Sequence, residues 1–148
     1  MAYQNALSTY KETRIKTASQ GQLIIMLYSE AVRQLDLALD LLETSDSRKR
    51  DPGRIEKISK AVVKTQEIVA ELMVSLDFEQ GGDIARNLFS LYTWFNRELM
   101  EANINQDKQR ISSVRYLIDE LRGAWQEIAA TNAVETANRE ILGVNIAG

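Results

Sequence analysis

Residues 82–105 read GDIARNLFSLYTWFNRELMEANIN, and this stretch decides the fold. Apolar side chains recur in it every three or four residues, namely at Ala85, Leu88, Tyr92, Phe95, Leu99 and Ala102. At about 100° of rotation per residue, this spacing puts all six on one side of an α-helix. Phe89 and Met100 extend the apolar surface on one flank, and Ile84 and Leu91 on the other. Trp94 falls roughly 130° from the centre of the stripe, among polar residues. The pattern predicts a helix that buries one side in a bundle and offers a second, partly apolar surface.

Three further segments show the same alternation of three and four residues, and each predicts another amphipathic helix. Residues 19–44 carry Ile24, Tyr28, Ala31, Leu35, Ala38 and Leu42. Residues 52–76 carry Ile55, Ile58, Val62, Thr65, Val69, Leu72 and Leu76. Residues 108–130 carry Ile111, Val114, Ile118, Leu121, Trp125 and Ile128.

The ends of these helices are marked by capping residues and by short polar breaks. Ser19 and Asp51 are predicted N-caps, and Pro52 suits the first position of a helix. Residues 77–81 and 103–107 are predicted breaks. Four helices joined by short loops predict an all-α, antiparallel up-down-up-down four-helix bundle that forms a single domain over residues 1–148.

The segments outside the four helices are the two ends of the chain. We expect residues 1–18 to be a mobile arm, or an arm that packs on the bundle, because the segment is polar and too short to be a stable helix alone. Residues 131–148 are predicted to be a tail. A short C-terminal helix is indicated there by Val134, Ala137 and Ile141.

The composition excludes several classes of function. The chain of 148 residues has no cysteine and no histidine. Thiol chemistry, a histidine general base and the Glu-x-x-His ligands of di-iron bundles are therefore excluded, and we expect no metal and no cofactor. A net charge of −3 does not favour nucleic acid. The first residues lack the apolar core of a secretory signal and no apolar run reaches the roughly 20 residues of a membrane span, so we expect a cytoplasmic protein.

An enzyme remains conceivable on these grounds, because a helical mutase can clamp an anionic substrate with arginines. Arg33, Arg86, Arg97 and Arg122 are the residues that such a mechanism would use. However, they lie between the apolar stripes rather than on them, and the carboxylates are scattered. We therefore predict a protein that is not an enzyme and has no catalytic residues.

Two surfaces could bind partners. The loop and the start of the second helix are basic, through Arg48, Lys49, Arg50, Arg54, Lys57, Lys60 and Lys64; a solvated surface is the simplest interpretation, and an acidic protein partner comes next. The second surface is apolar and lies off the main stripes, at Val63, Ala70, Val74 and Trp94. Either the arm or tail covers it, or it accepts an amphipathic helix of another protein, or it forms a dimer interface.

An ordered set of short motifs resembles the FliS family, the flagellin-specific export chaperones of bacteria. The motifs are Thr17-Ala18-Ser19, Gln22-Leu23-Ile24, Met26-Leu27-Tyr28, Gln66-x-Ile68, Glu71-Leu72, Ser75-Leu76-Asp77, Gly81-Gly82-x-Ile84-Ala85-x-Asn87-Leu88, Leu91-Tyr92, Leu99, Ala102-Asn103 and Leu121-Arg122-x-Ala124-Trp125. The sequence departs from the family pattern at Gln20, where proline is usual, at Ser29-Glu30, where Asp-Gly is usual, and at Trp94, where tyrosine is common.

The resemblance implies a cytoplasmic chaperone that binds the C-terminal segment of flagellin, prevents its premature polymerisation and delivers it to the flagellar type III export apparatus. It implies a further contact with the cytoplasmic domain of an export-gate membrane protein, with no nucleic acid and no insertion into the membrane. The tyrosine that the family carries near its N-terminus corresponds to Tyr10. The partner-binding residues that we predict are Leu7, Tyr10, Val63, Ala70, Val74, Asn87, Leu91 and Trp94.

Overall fold

The structure is a computed structural model that describes residues 20–44 and 51–141, with side chains as far as residue 132. The predicted arm lies outside the described residues, and so do Leu7 and Tyr10 on it. The predicted N-cap Ser19 and the basic residues 48–50 also lie outside them.

Four helices make up almost all of the described chain. They are α1 (Gln20–Glu43), α2 (Pro52–Val74), α3 (Phe78–Asn105) and α4 (Lys108–Ile141). Each helix packs against two others: α1 and α3 both contact α2 and α4, and the contacts of α1 are the more extensive. The predicted antiparallel four-helix bundle is confirmed. None of the helices in the described ranges is both long and apolar enough to cross a membrane.

The four apolar stripes meet in one core. The largest fully buried side chains are Tyr28, Tyr92, Phe95, Leu35, Ile58, Ile68, Leu72, Leu99, Ile111, Ile118, Val62 and Val69. Ile68 lies outside the predicted stripe of α2 but is fully buried in the same core cluster. Since the 3-4 stripes supply nearly all of this core, helical periodicity accounts for the architecture.

Aspartates begin three of the helices. The side chain of Asp51 accepts hydrogen bonds from the main-chain N–H groups of Gly53 and Arg54, and Pro52 follows as the first helical residue, as predicted. Asp77 caps α3 in the same way, and Asp107 caps α4. Each carboxylate satisfies N–H groups that would otherwise lack a partner in the first turn.

The third helix begins earlier than predicted and contains a kink. Because Asp77 caps a helix that starts at Phe78, one helical turn lies within residues 77–81, which we predicted to be a break. The break is at Gly82 alone, where φ is 51° and ψ is −124°. Only glycine adopts such a backbone without strain. A Cβ atom on Gly81 would lie 2.8 Å from the Cβ of Ala85, so this position is restricted as well.

The fourth helix is longer than predicted. We expected it to end near residue 130, but it continues to Ile141, and the short helix predicted in the tail is part of it. Thr131 does not stop the helix, because its hydroxyl donates to the main-chain oxygen of Glu127 one turn earlier. No glycine or proline occurs between Thr131 and Ile141.

Two ion pairs show how α4 is aligned with α1. Arg115 binds Asp36 at 2.8 Å and Lys108 binds Glu43 at 2.6 Å, both between α4 and α1. From Lys108 to Arg115 the chain advances seven residues along α4, and their partners Glu43 and Asp36 lie seven residues apart in the reverse direction along α1. This is the alignment of antiparallel helices. The same alignment places the start of α1 level with Thr131, so the last turns of α4 extend beyond that end of α1.

A pair of tyrosines joins opposite helices at the centre of the bundle. The hydroxyl groups of Tyr28 on α1 and Tyr92 on α3 are hydrogen-bonded. Both tyrosines are buried. Burial raises the pKa of each phenol above its ordinary value of 10.0, because the phenolate would lose its hydration.

The packing of α3 can be tested with two neighbouring residues. Leu99 is fully buried, whereas the side chain of Met100 is 49% exposed. Leu99→Ala should lower the free energy of unfolding by about 2–5 kcal/mol, since it leaves a cavity in the core. Met100→Ala should lower it by less than about 1 kcal/mol. Urea denaturation followed by circular dichroism would measure both, and equal losses would contradict the packing described here.

The tyrosine pair predicts a loss of stability in alkali. Above about pH 10 the unfolded chain releases its phenolic protons, while the folded bundle retains those of Tyr28 and Tyr92, so the free energy of unfolding should fall as the pH rises. Denaturation at about pH 8 and about pH 11 would measure the change. Tyr92→Phe should make the decrease smaller. An identical decrease in this variant would show that the buried phenol is not its source.

Candidate partner-binding site

Polar side chains join α2 and α3 along the outer edge of their contact, beside the apolar core. Gln66 Nε2 donates to the main-chain oxygen of Asn96 at 3.2 Å, and Asn96 Nδ2 donates to the main-chain oxygen of Gln66 at 3.4 Å. Asn103 Nδ2 donates to the hydroxyl of Ser59 at 3.1 Å. These three bonds align the two helices and show which sides of them face each other.

Beside this line, each helix carries an exposed apolar row. Val63 and Ala70 lie roughly 40–60° around α2 from Gln66, on the side away from the core, and both are exposed. Phe89 and Met100 lie roughly 20–40° around α3 from Asn96, also away from the core and exposed. In the antiparallel alignment, Val63 is level with Met100. The two rows therefore flank one shallow surface.

We call this surface the α2–α3 face. Its exposed apolar residues are Ile55, Val63, Ala70 and Val74 on α2 and Phe78, Phe89, Met100 and Ile104 on α3. The ring of Phe78 contacts that of Phe89 edge-on, with 5.9 Å between the ring centres, so the turn before the kink adds to the face. Val74 is 80% exposed. Most of the exposed large hydrophobic side chains in the described residues lie here, and on α1 there is only Leu37.

A second, smaller surface lies on the other side of α3, and we call it the α3–α4 face. Arg110 on α4 binds Glu98 on α3 at 2.7 Å, which identifies this side of α3 as the one next to α4. The face consists of Ile84, Asn87, Leu91 and Trp94 on α3 and Leu117 and Ile128 on α4. Beside it, on the outer side of α4, a shallow depression is lined by Gln109, Ser112, Ser113, Tyr116 and Leu117.

The structure places the predicted site residues on two faces, not one. Val63, Ala70 and Val74 are exposed on the α2–α3 face. Asn87, Leu91 and Trp94 lie on the α3–α4 face, where Asn87 is exposed and the other two are half-buried.

Trp94 lies off the main stripe of α3, as the spacing predicted, but it is half-buried. It packs against the core, with its ring centre 5.9 Å from that of Phe95. This side of α3 is the one next to α4, and the sequence does not reveal where a neighbouring helix lies.

The prediction omitted residues that the structure places beside Val63 and Ala70. Phe89 and Met100 were recognised only as flanks of the main stripe, although Phe89, Asn96 and Met100 follow one another at spacings of seven and four. On α2, Val63, Glu67, Ala70 and Val74 follow at four, three and four. A search for such second rows would have found the α2–α3 face.

The charged side chains do not form a catalytic site. Arg33, Arg86 and Arg122 each pair with a carboxylate one turn away on the same helix, and Arg97 is exposed, so the four arginines do not converge on an internal pocket. Within residues 20–44 and 51–132, no cluster of acidic side chains could hold a metal ion.

The basic residues that the structure describes lie at the surface. Lys57 and Lys60 are exposed. The pKa of the Glu30 carboxyl is lowered chiefly by its hydrogen bonds with Arg33, and the charge of Lys64 contributes to the same shift. This arrangement fits a solvated surface.

A family model described as flagellar protein FliS matches residues 3–132, from before α1 into the second half of α4. The chain belongs to the FliS family. Three relatives in this family are named flagellar secretion chaperone FliS. The protein of Salmonella typhimurium is 36% identical over 118 residues, which cover 80% of this chain and 82% of the relative.

The relative from Bacillus subtilis is 27% identical over 127 residues, covering 86% of this chain and 88% of its own. The relative from Campylobacter jejuni is 31% identical over 123 residues, which cover 83% of this chain and 90% of the relative. The predicted family is confirmed, and with it the prediction of a secretion chaperone rather than an enzyme.

Proposed function

We propose that this FliS-family chaperone binds the C-terminal segment of flagellin on its α2–α3 face, prevents premature polymerisation and delivers the segment to the flagellar type III export apparatus. The observation that supports the proposal is the concentration of exposed apolar side chains on that face. Val63 and Ala70 face Met100 and Phe89 across a line of contact that is itself polar. A secretion chaperone meets its client before export, so we place its action in the cytoplasm.

The physical basis is the burial of apolar surface. A flagellin segment that packs as a helix in the filament has an apolar side that would self-associate in water. Covering apolar surface contributes about 25 cal/mol per Å². Part of this gain is offset by the entropy lost when the segment becomes ordered. Binding of this kind needs neither ATP nor a metal.

The predicted contact residues have separate roles in this proposal. Val63, Ala70 and Val74 contact the client on the α2–α3 face, together with Phe89 and Met100. Asn87, Leu91 and Trp94 would contact a second part of the client on the α3–α4 face. Leu7 and Tyr10 remain predicted contacts of the arm.

The first experiment is a calorimetric titration of the full chain with a peptide covering the C-terminal segment of flagellin from the same organism, with helicity followed by circular dichroism. We expect one-to-one binding, a gain of helix and a negative heat-capacity change. No binding to the full chain, and none after deletion of residues 1–18, would refute the proposed client. Binding that needs the deletion would identify the arm as a cover of the site.

Two matched substitutions test which face binds. Met100→Asp places a charge on the α2–α3 face, and Leu37→Asp places the same charge on α1, at a residue of similar exposure, 46% against 49%. Met100→Asp should weaken binding by about tenfold or more, equivalent to about 1.4 kcal/mol, and Leu37→Asp should not change it. The opposite result, or equal effects, would contradict the placement. Analytical ultracentrifugation without client would show whether the face forms a dimer instead.

We also propose that the loaded chaperone contacts the cytoplasmic domain of an export-gate membrane protein. A pull-down with that purified domain should retain the chaperone–client complex more strongly than either protein alone, because a delivery step must distinguish loaded from empty chaperone. Equal retention of empty and loaded chaperone would argue against selection of the loaded complex.

A further inference from the structure

The first turn of α3, residues 78–81, is folded back beside the rest of that helix. Phe78 and Phe89 are eleven positions apart in the sequence, and an uninterrupted helix would separate them by roughly 16 Å along its axis. Their ring centres are 5.9 Å apart. The non-helical main chain at Gly82 accounts for the difference, because it changes the direction of the chain between the two rings.

The position of Gly81 supports the same geometry. A Cβ atom on Gly81 would lie 2.8 Å from that of Ala85. Cβ atoms four residues apart in a regular helix are about 5–6 Å apart. The first turn therefore approaches α3 more closely than a side chain on Gly81 would allow. Each of the two glycines is required by the folded-back turn, Gly81 for the close approach and Gly82 for its positive φ.

The folded-back turn lies at one end of the α2–α3 face. The hydrogen bonds between Gln66 and Asn96 place Val74, the last residue of α2, level with Leu88. Towards its start, α3 extends roughly 7 Å past that level before the kink interrupts it. Phe78 therefore lies next to the end of α2, where it continues the exposed apolar row.

The contact between the two rings adds little to the core. Neither Phe78 nor Phe89 belongs to the cluster of buried side chains, and they are 45% and 43% exposed. Two successive glycines also lower the stability of the folded chain, because glycine loses the most conformational freedom on folding. The arrangement thus keeps two rings together at the surface, where another molecule can reach both without a rearrangement of the bundle.

We propose that Phe78 and Phe89 form an aromatic end wall of the α2–α3 face, against which one large apolar side chain of the flagellin segment packs. Gly81 and Gly82 are positioning residues, because they hold Phe78 beside Phe89. This inference rests on the proposed docking of the client at the α2–α3 face and names the residues that hold one end of it. Aromatic rings suit this role, since each buries a large apolar area on contact.

Phe78→Ala tests the wall without changing the main chain. In the calorimetric titration with the flagellin peptide, it should weaken binding by about tenfold or more. Leu37→Ala is the matched control, because it shortens an apolar side chain of almost the same exposure, 46% against 45%, on α1. It should leave the affinity unchanged. Thermal denaturation would verify that both variants remain folded.

Gly82→Ala tests the positioning role. Alanine disfavours a φ of 51°, so this variant should move Phe78 away from Phe89 and weaken binding as much as Phe78→Ala does. Gly123→Ala is its control, since a Cβ atom at this helical glycine would meet nothing within 4 Å, and it should bind normally.

The double variant Gly82→Ala with Phe78→Ala separates positioning from a general structural effect. It should bind no more weakly than Phe78→Ala alone, because both changes remove the same contact. Additive losses would show that Gly82 does not act through Phe78 and would refute the positioning role.

The client side chain can be found by replacing each large apolar residue of the peptide with alanine, one at a time. One replacement should weaken binding to the unmodified chaperone but have little further effect on Phe78→Ala, as a coupled pair requires. If every replacement weakened binding to both chaperones equally, no client side chain would pack against the wall, and the inference would be wrong.

The outcomes distinguish this inference from the proposed function. If the unmodified peptide does not bind the unmodified chaperone, the proposed function fails, and the end wall fails with it. If the peptide binds, and Phe78→Ala binds it as tightly as Leu37→Ala does, the function stands and the end wall is refuted.

Discussion

The apolar core holds α3 on the bundle, and two hydrogen bonds between Gln66 and Asn96 set its register against α2. These bonds lie at the outer edge of the contact between the two helices, beside the exposed apolar rows. Tyr92 and Phe95 supply the apolar attachment of α3 on its inner side. The outer rows of α2 and α3 are therefore left free to contact another molecule.

The periodicity of the sequence was sufficient for the fold and for part of the site. The 3-4 spacing of apolar residues is a local property of each helix. Because every apolar stripe must be buried against another helix, four such stripes predicted a four-helix bundle. The start of α2 could be predicted for the same reason, because Asp51 caps main-chain groups only two and three residues further along the chain. Val63, Ala70 and Val74 could be assigned to a second surface because their row differs from the core stripe of α2.

What could not be predicted depended on contacts between helices. Trp94 and Met100 both lie away from the main stripe of α3, yet Trp94 packs against the core on the side next to α4, whereas Met100 is 49% exposed on the side next to α2. The helical stretch after Thr131 is a different case. We expected α4 to end near residue 130, but the hydroxyl of Thr131 is satisfied within the helix itself, and the helix continues.

A chaperone that exposes an apolar face must avoid binding to any apolar surface, including a second copy of itself. Polar residues within the two rows answer part of this requirement. Glu67 lies between Val63 and Ala70 on α2, and Asn96 lies between Phe89 and Met100 on α3. They interrupt the apolar rows, which limits the continuous apolar area exposed before the client arrives.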